Sequence, residues 1–223
     1  MSTDLIVLTL NEIEGFKKIM PLVKREWVND IIVVDGGSTD GTIEEAKKMG
    51  FRVIIQEVRG HGGAILTGFN ASHADNIVIF GPDGNHSPDE IPSLIEKIAE
   101  GYDQVIISRF TKNSINLDAG IIDSFGNRMF TFLVNIIFGG HYTDTLNESR
   151  IITRKAMLEI KFDAMDMTST QQMSIRGLKK RQKICEISGN EGKRIGGVRK
   201  MNSLRVGASL SWQIIKEVVF WKI

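Results

Sequence analysis

The chain of 223 residues has one cysteine, Cys185, so no intrachain disulfide can form. Its four histidines are scattered and no Cys cluster accompanies them, which excludes a zinc constellation. No stretch of about 18 uncharged apolar residues occurs, the length that a bilayer-spanning helix needs. The opening MSTDLIVLTLNE carries no basic segment ahead of a long apolar one, and a cytoplasmic chain is expected. The dinucleotide fingerprint is missing: where G-x-G-x-x-G would follow the first strand stand Asn11, Glu12, Ile13, Glu14 and Gly15. A nicotinamide-dependent dehydrogenase is thereby disfavoured. No Walker lysine follows the glycines at 60, 62, 63 and 68, which speaks against a P-loop NTPase. Internal repeats and low-complexity segments are absent too.

What is present reads as a globular protein. Apolar residues make up 42% and charged residues 25%. One domain over 1–202 with a C-terminal amphipathic helix over 203–223 is expected. The net charge of +1 hides an asymmetry. From Lys161 onward 13 Lys and Arg stand against 5 Asp and Glu, and before it 15 stand against 22. A basic tail on an acidic body suits an anionic partner such as a phosphate group or an inner membrane surface. A solvated basic face would look the same, and no nucleic-acid partner is expected.

Short apolar runs alternate with helical patterns. Strands are predicted at Leu5–Leu10, Ile31–Val34, Arg52–Gln56, Ile77–Phe80, Gln104–Ser108, Ser149–Thr153 and Lys183–Ile187. Helices are predicted from Asn11, acting as a cap with Glu14, to about Arg25; from a Thr42/Glu45 capping box; from the Gly-rich 60–64 to about His73; over Pro88–Glu100 behind a Ser87 cap; over Ile121–Phe138; and over about Thr170–Lys180. The last helix begins near Val206, with Val206, Leu210, Ile214, Val218 and Trp221 at helical spacing. It suits a membrane interface, packing on the domain, or contact with a second copy in a homo-oligomer. Packing is expected chiefly for its first turns. The alternation predicts an α/β, Rossmann-like, mostly parallel sheet with helices on both faces.

The centre of the chain is Ile77–Glu90, IVIFGPDGNHSPDE. An apolar strand ends at Gly81-Pro82, and Asp83, Gly84, Asn85 and His86 follow at the carboxyl edge, where open α/β sheets bind ligands. Short oxygen-bearing side chains on such a turn can approach a hard divalent cation that leaves its other positions to phosphate and water. A polar loop capping a helix would read the same. Asp35, ending the second strand, is placed to accept hydrogen bonds from a base or ribose. The glycines at 60 and 62 permit close approach to a phosphate, or serve only a turn.

Taken in order, LTLNE, VVDGGSTDGT, GHGGAILTGF, GPDGNHSPDEI, Ser108-Arg109-Phe110, Gly126-Asn127-Arg128, Asp144 with Arg150, and the run Arg194 to Lys200 resemble family 2 glycosyltransferases of the GT-A fold. The likeness is to polyprenyl-phosphate sugar synthases of the dolichol-phosphate mannose synthase kind. It implies a nucleotide-binding set of Thr9, Asn11, Glu12, Asp35, Gly36, Gly60, Gly62, Pro82 and Asp83. It also implies Mg or Mn at Asp83 and Asn85, charge stabilisation by Arg194 and Lys200, and an acceptor phosphate at Arg128 and Arg150. The sequence departs from the family at five places: Leu8 and Leu10 stand where Pro and Tyr are usual, and only Asp35 remains, beside Gly36, of paired acids; three more lie nearer the chemistry. Gly81 stands where the first acid of Asp-x-Asp belongs, Glu148 replaces a Gly near the acceptor side, and Gln172 stands where many relatives carry an acid. Weaker metal binding is expected.

The resemblance implies inverting transfer from a GDP- or UDP-sugar to a polyprenyl phosphate, by an enzyme peripheral at the inner membrane face. A phosphomonoester acceptor is already anionic near pH 7, its second pKa being about 6, so loss of the acid at 172 is tolerable. The rivals are a family 2 enzyme with a hydroxyl acceptor and a non-catalytic relative that binds nucleotide sugar.

Overall fold

Alternating burial organises the centre. In β1 (Thr3–Thr9), Leu5 and Val7 enter one apolar layer and Ile6 the other; in β2 (Asp30–Asp35), Ile31 and Val33 join the first layer, Ile32 and Val34 the second. Both faces are therefore covered, as unbroken apolar strands require. The computed structural model describes residues 1–115, 120–196 and 203–221. Among these, β1 and β2 join β3 (Arg52–Ile55), β4 (Asn76–Phe80), β5 (Gln104–Ser108), β6 (Arg150–Thr153) and β7 (Ile184–Ser188) in a seven-stranded sheet. Its order is β3-β2-β1-β4-β6-β5-β7. All neighbours are parallel except β6, which runs against both β4 and β5.

One face packs against α1 (Ile13–Ile19), α2 (Thr42–Lys48) and α4 (Glu90–Ile98) through Phe16, Ile19, Ala46, Leu94 and Ile98. The other takes α3 (His61–Ala71) and α6 (Arg154–Glu159) through Ile65, Phe69 and Met157. A third cluster joins α5 (Ile121–Phe138), α7 (Ser169–Lys179) and α8 (Ser203–Val219) through Phe130, Val134, Ile175, Leu210 and Ile214. The architecture is the α/β one expected.

Several boundaries differ for local reasons. Asn11 does not cap α1: it sits at φ +52°, and its Oδ1 accepts from Thr39 N at 2.8 Å. That helix stops at Ile19, since Pro21 lacks the N–H to continue it and a 3-10 turn over Met20–Leu22 follows. Gly41, not Thr42, precedes α2; Asp40 accepts both the N–H and the hydroxyl of Thr42. Ser87 and Pro88 make a separate turn, and α4 begins only at Glu90.

In α8 the inward residues are Leu210, Gln213, Ile214 and Glu217, while Val218 is half exposed. Glu217, fully buried, accepts from Arg176 Nε at 2.8 Å and from Gln213 at 2.9 Å. The guanidinium of Arg176 also lies 4.6 Å from the centre of the Trp221 ring. Arg176 thus draws Glu217 inward where the apolar pattern would place Val218, while Val206 packs on the core as expected. Val206, Leu210 and Ile214 pack on the third cluster, and the end of the helix meets α7 through Glu217 and Trp221. No described helix is long and apolar enough to cross a membrane.

Candidate active site

The turn after β4 is packed from two directions. Gly15 of α1 lies against it so closely that a Cβ there would strike the Pro82 carbonyl. From the other side the late loop seals it: Gly192 N donates to Asn85 O at 2.9 Å and Ile195 N to Asp83 O at 2.7 Å. Gly84, at φ +91°, faces Ile195, so a side chain there would be excluded on both counts. The turn and the basic loop, far apart in sequence, therefore form one wall.

Asp83 is the charged centre of that wall. Its Oδ1 accepts from Asn85 N at 3.0 Å, and its Oδ2 accepts from Arg194 Nη1 at 2.7 Å. The other arm of Arg194 pairs with Glu12. Burial, and then the nearby charge of Glu148, raise the pKa of Asp83 despite Arg194. Asn85 Oδ1 is buried and accepts no hydrogen bond among the described residues. Such an orphan oxygen beside a carboxylate fits a hard cation. Among the described residues no three His, Cys, Asp or Glu groups cluster to cage a metal. Magnesium ordinarily takes one or two carboxylates and leaves the rest to water and phosphate, so Asp83 and Asn85 suit Mg or Mn on those terms. His86 is buried beside Glu90, 3.6 Å from its carboxylate, and packs at the start of α4.

The nucleotide loops are more inward-looking than the sequence suggests. Asp35 is fully buried, its Oδ2 accepting from Thr9 Oγ1 and Ser38 Oγ at 2.7 Å each, its Oδ1 from Gly37 N at 2.8 Å and Ser38 N at 2.6 Å. It builds the 36–38 turn with oxygens expected to serve a base or ribose. Gly36 N donates to Thr9 O, and Asn11 N to Ser38 Oγ, so Thr9, Asn11 and Gly36 belong to the same knot. Glu12 N reaches Thr42 Oγ1 at 3.1 Å.

Gly60 and Gly62 are pressed against the chain itself. A Cβ on either would strike the carbonyl of Met165 or Ala164. The close approach that glycine permits is thus spent on segment 163–165. Gln172 holds that segment, accepting from Asp163 N and Ala164 N at 3.0 and 2.9 Å and donating to Asp163 Oδ1 at 2.7 Å. It is fully buried, which explains an amide where an acid would meet Asp163 and Glu217.

The two arginines expected at the acceptor phosphate part company. Arg128 is exposed on α5, over the Phe110 ring at 5.3 Å. Arg150 is fully buried, donating to Asn147 O at 2.6 Å, with burial depressing its pKa to about 10. Its guanidinium is enclosed within the protein. Arg109 is likewise committed, to Asp144 at 2.7 Å and Glu191 at 2.9 Å. Lys200 lies outside the described residues.

Sequence reasoning missed a pair at the rim of the turn. His61 Nε2 and Glu148 Oε2 are 2.6 Å apart, and Ser169 Oγ sits 2.7 Å from His61 Nδ1. Glu148 Oε1 points at Gly81, where an added Cβ would collide with it. The signal available in sequence was the coincidence of two departures, an acid lost at 81 and one gained at 148.

Comparison with known proteins places this geometry. Residues 4–176 match the model of glycosyl transferase family 2. Dolichyl-phosphate hexose transferase of Haloferax volcanii is 28% identical over 210 residues, spanning 93% of this chain and 90% of that protein. Glycosyltransferase AglJ of the same organism is 27% identical over 179 residues, a match that takes in 77% of this chain but only 58% of AglJ. Among solved structures, glucosyl-3-phosphoglycerate synthase from Mycobacterium tuberculosis in complex with Mn2+, uridine diphosphate and phosphoglyceric acid gives a TM-score of 0.78 at 21% identity, covering 99% of this chain and 80% of that one. That likeness is one of fold, the GT-A arrangement of a mostly parallel sheet between helices. With the family match running from β1 into α7, the chain belongs to glycosyl transferase family 2 and is a glycosyltransferase.

Proposed function

We propose that this enzyme transfers a hexose from a nucleoside-diphosphate sugar, GDP- or UDP-linked, to a polyprenyl phosphate, inverting the anomeric carbon. The observation that carries this reading is the seal between the late loop and the Asp83 turn, through Arg194. A guanidinium held at the carboxyl edge of β4 can turn from Asp83 and Glu12 to a diphosphate, whose paired oxygens suit its geometry.

In the reaction, an acceptor phosphate oxygen forms a bond to the anomeric carbon as the bond to the diphosphate oxygen breaks. The electron pair stays with the leaving group, and no proton need move. Asp83 and Asn85 would hold the divalent cation, which when bound offsets negative charge on the diphosphate. Arg194 meets the developing charge; the resemblance assigns the same work to Lys200. No general base is required, which agrees with an amide at Gln172. Glu148, its carboxyl held down to about 2 by His61 against the cost of burial, is too weak a base to serve.

The acceptor side is supported by α5. Ile122, Phe125, Met129, Phe132 and Ile136 are exposed on the helix that carries Arg128. An apolar face of this kind beside a cation suits a lipid phosphate presented at a membrane surface. The Haloferax hexose transferase bears a dolichyl-phosphate name, consistent with this acceptor.

The test supplies purified protein and Mn2+ with GDP- and UDP-hexoses, offering a polyprenyl phosphate in vesicles or 3-phosphoglycerate in solution. Sugar recovered in the organic phase is the expected result. Transfer only to the soluble hydroxyl acceptor, or binding without turnover on either, would reject the reading.

A further inference from the structure

We propose that Glu148 supplies the second carboxylate of the divalent-cation site, reaching from the loop before β6 into the room left by Gly81. The inference rests on the donor reading above and concerns the residues that hold the ion.

Sheet register brings the two positions together. β4 and β6 are antiparallel with Ile79 opposite Arg150, so two residues further on Gly81 faces Glu148. Directly opposed side chains in such a ladder stand roughly 5 Å apart, close enough for one to replace the other. Space enforces the exchange: a Cβ at Gly81 would collide with Glu148 Oε1, while lying 3.9 Å from Asp83 Oδ1. Those two carboxylate oxygens therefore flank one point, and a side chain at 81 requires the carboxylate at 148 to shift.

The orientation is built. His61 Nε2 holds Oε2 of Glu148, and Ser169 Oγ holds the far nitrogen of that ring. Oε1 is left facing Gly81 and accepts no hydrogen bond among the described residues. An outer partner that fixes one oxygen while leaving the other open is the usual support of a metal-binding carboxylate. On Asp83, Oδ2 belongs to Arg194, and Oδ1, which accepts from Asn85 N at 3.0 Å, is the oxygen near Gly81.

Charge gives the reason for an ion. Glu12, Asp83 and Glu148 surround this turn against the guanidinium of Arg194. A cation between the Asp83 and Glu148 carboxylates would offset their mutual repulsion. The donors are hard oxygens, Glu148 Oε1, Asp83 Oδ1 and the orphan Asn85 Oδ1, which suit Mg2+ or Mn2+.

The experiment titrates Mn2+ alone into the full chain, reading free Mn2+ by electron paramagnetic resonance. Compared are the parent, Asp83→Asn, Glu148→Gln, and the exchange Gly81→Asp with Glu148→Gly. Glu148→Gln is expected to weaken Mn2+ binding at least about tenfold, and the exchange to recover most of that loss. Parent-like Mn2+ affinity in Glu148→Gln overturns the proposal. If thermal melting shows that Glu148→Gln is unfolded, the exchange decides: retained Mn2+ binding supports the proposal and its loss overturns it. A protein whose Mn2+ affinity follows Glu148 yet which transfers no sugar to polyprenyl phosphate retains this site and loses only the acceptor reading.

Discussion

Arg194 donates to Asp83 across 2.7 Å while its second arm pairs with Glu12, so one side chain of the late loop bridges two elements of the N-terminal half. If that guanidinium serves the departing diphosphate, Arg194→Ala lowers kcat by about a hundredfold, the usual cost of one preorganised charge-stabilising group. Arg194→Lys recovers only part, because an ammonium cannot span two oxygens as a fork does. Steady-state transfer rates across the three proteins provide the check, and an unchanged kcat in Arg194→Ala would count against the role.

Gln172 donates to Asp163 and Glu217 and accepts from two backbone N–H groups. Gln172→Glu brings a third carboxylate into this buried group and loses both donations. A destabilisation of about 3 kcal/mol is expected, the scale of an uncompensated buried charge. Urea unfolding at pH 7 measures it. A variant as stable as the parent would contradict this account of the amide.

Asp144 is fully buried between Arg109 and Asn127, with Arg109 Nε at 2.7 Å and Asn127 Nδ2 at 3.0 Å. Burial alone would raise its pKa, but the charge and hydrogen bonds of Arg109 prevail and lower it. A carboxyl depressed in the folded state stabilises fully above its unfolded value, about 3.9, and loses that contribution as pH falls through the folded value. Asp144→Asn is therefore expected to cost about 3 kcal/mol at pH 7, with the gap from the parent narrowing below about pH 4. Denaturation curves over a pH series test both halves.

Phe125, Phe132 and Ile136 are 69%, 60% and 66% exposed on α5, so their replacement removes little from the core. The triple change to Ser leaves the melting temperature within a few degrees and lowers co-sedimentation with anionic vesicles at least about tenfold, each apolar side chain being worth on the order of 1.5 kcal/mol. Equal sedimentation of parent and variant would exclude this face as the membrane contact.

The strands were legible in sequence because burial on both faces leaves an unbroken apolar run, as in Ile77–Phe80 and Gln104–Ser108. Helix α5 was legible from end to end. The polarity of β6 was not, since the four residues RIIT fit either direction and only pairing with β4 and β5 decides. Helix α8 was legible at Val206, Leu210 and Ile214 but not in its polar interior, because Arg176 demands Glu217 and apolar spacing cannot foresee that. Within the site, the Asp83 turn and Arg194 could be named from local motifs. The contact of His61 with Glu148, and the commitment of Asp35, Gly60 and Gly62 to neighbouring backbone, depend on distant segments and were unreadable.

Because β6 enters the sheet at the edge where β4 leaves it, residues far apart along the chain share a single rung. Acidity at this edge can migrate sideways between strands without moving in space. A search that requires two acids spaced by one residue would discard such a chain, whereas a count of negative charge per rung would retain it.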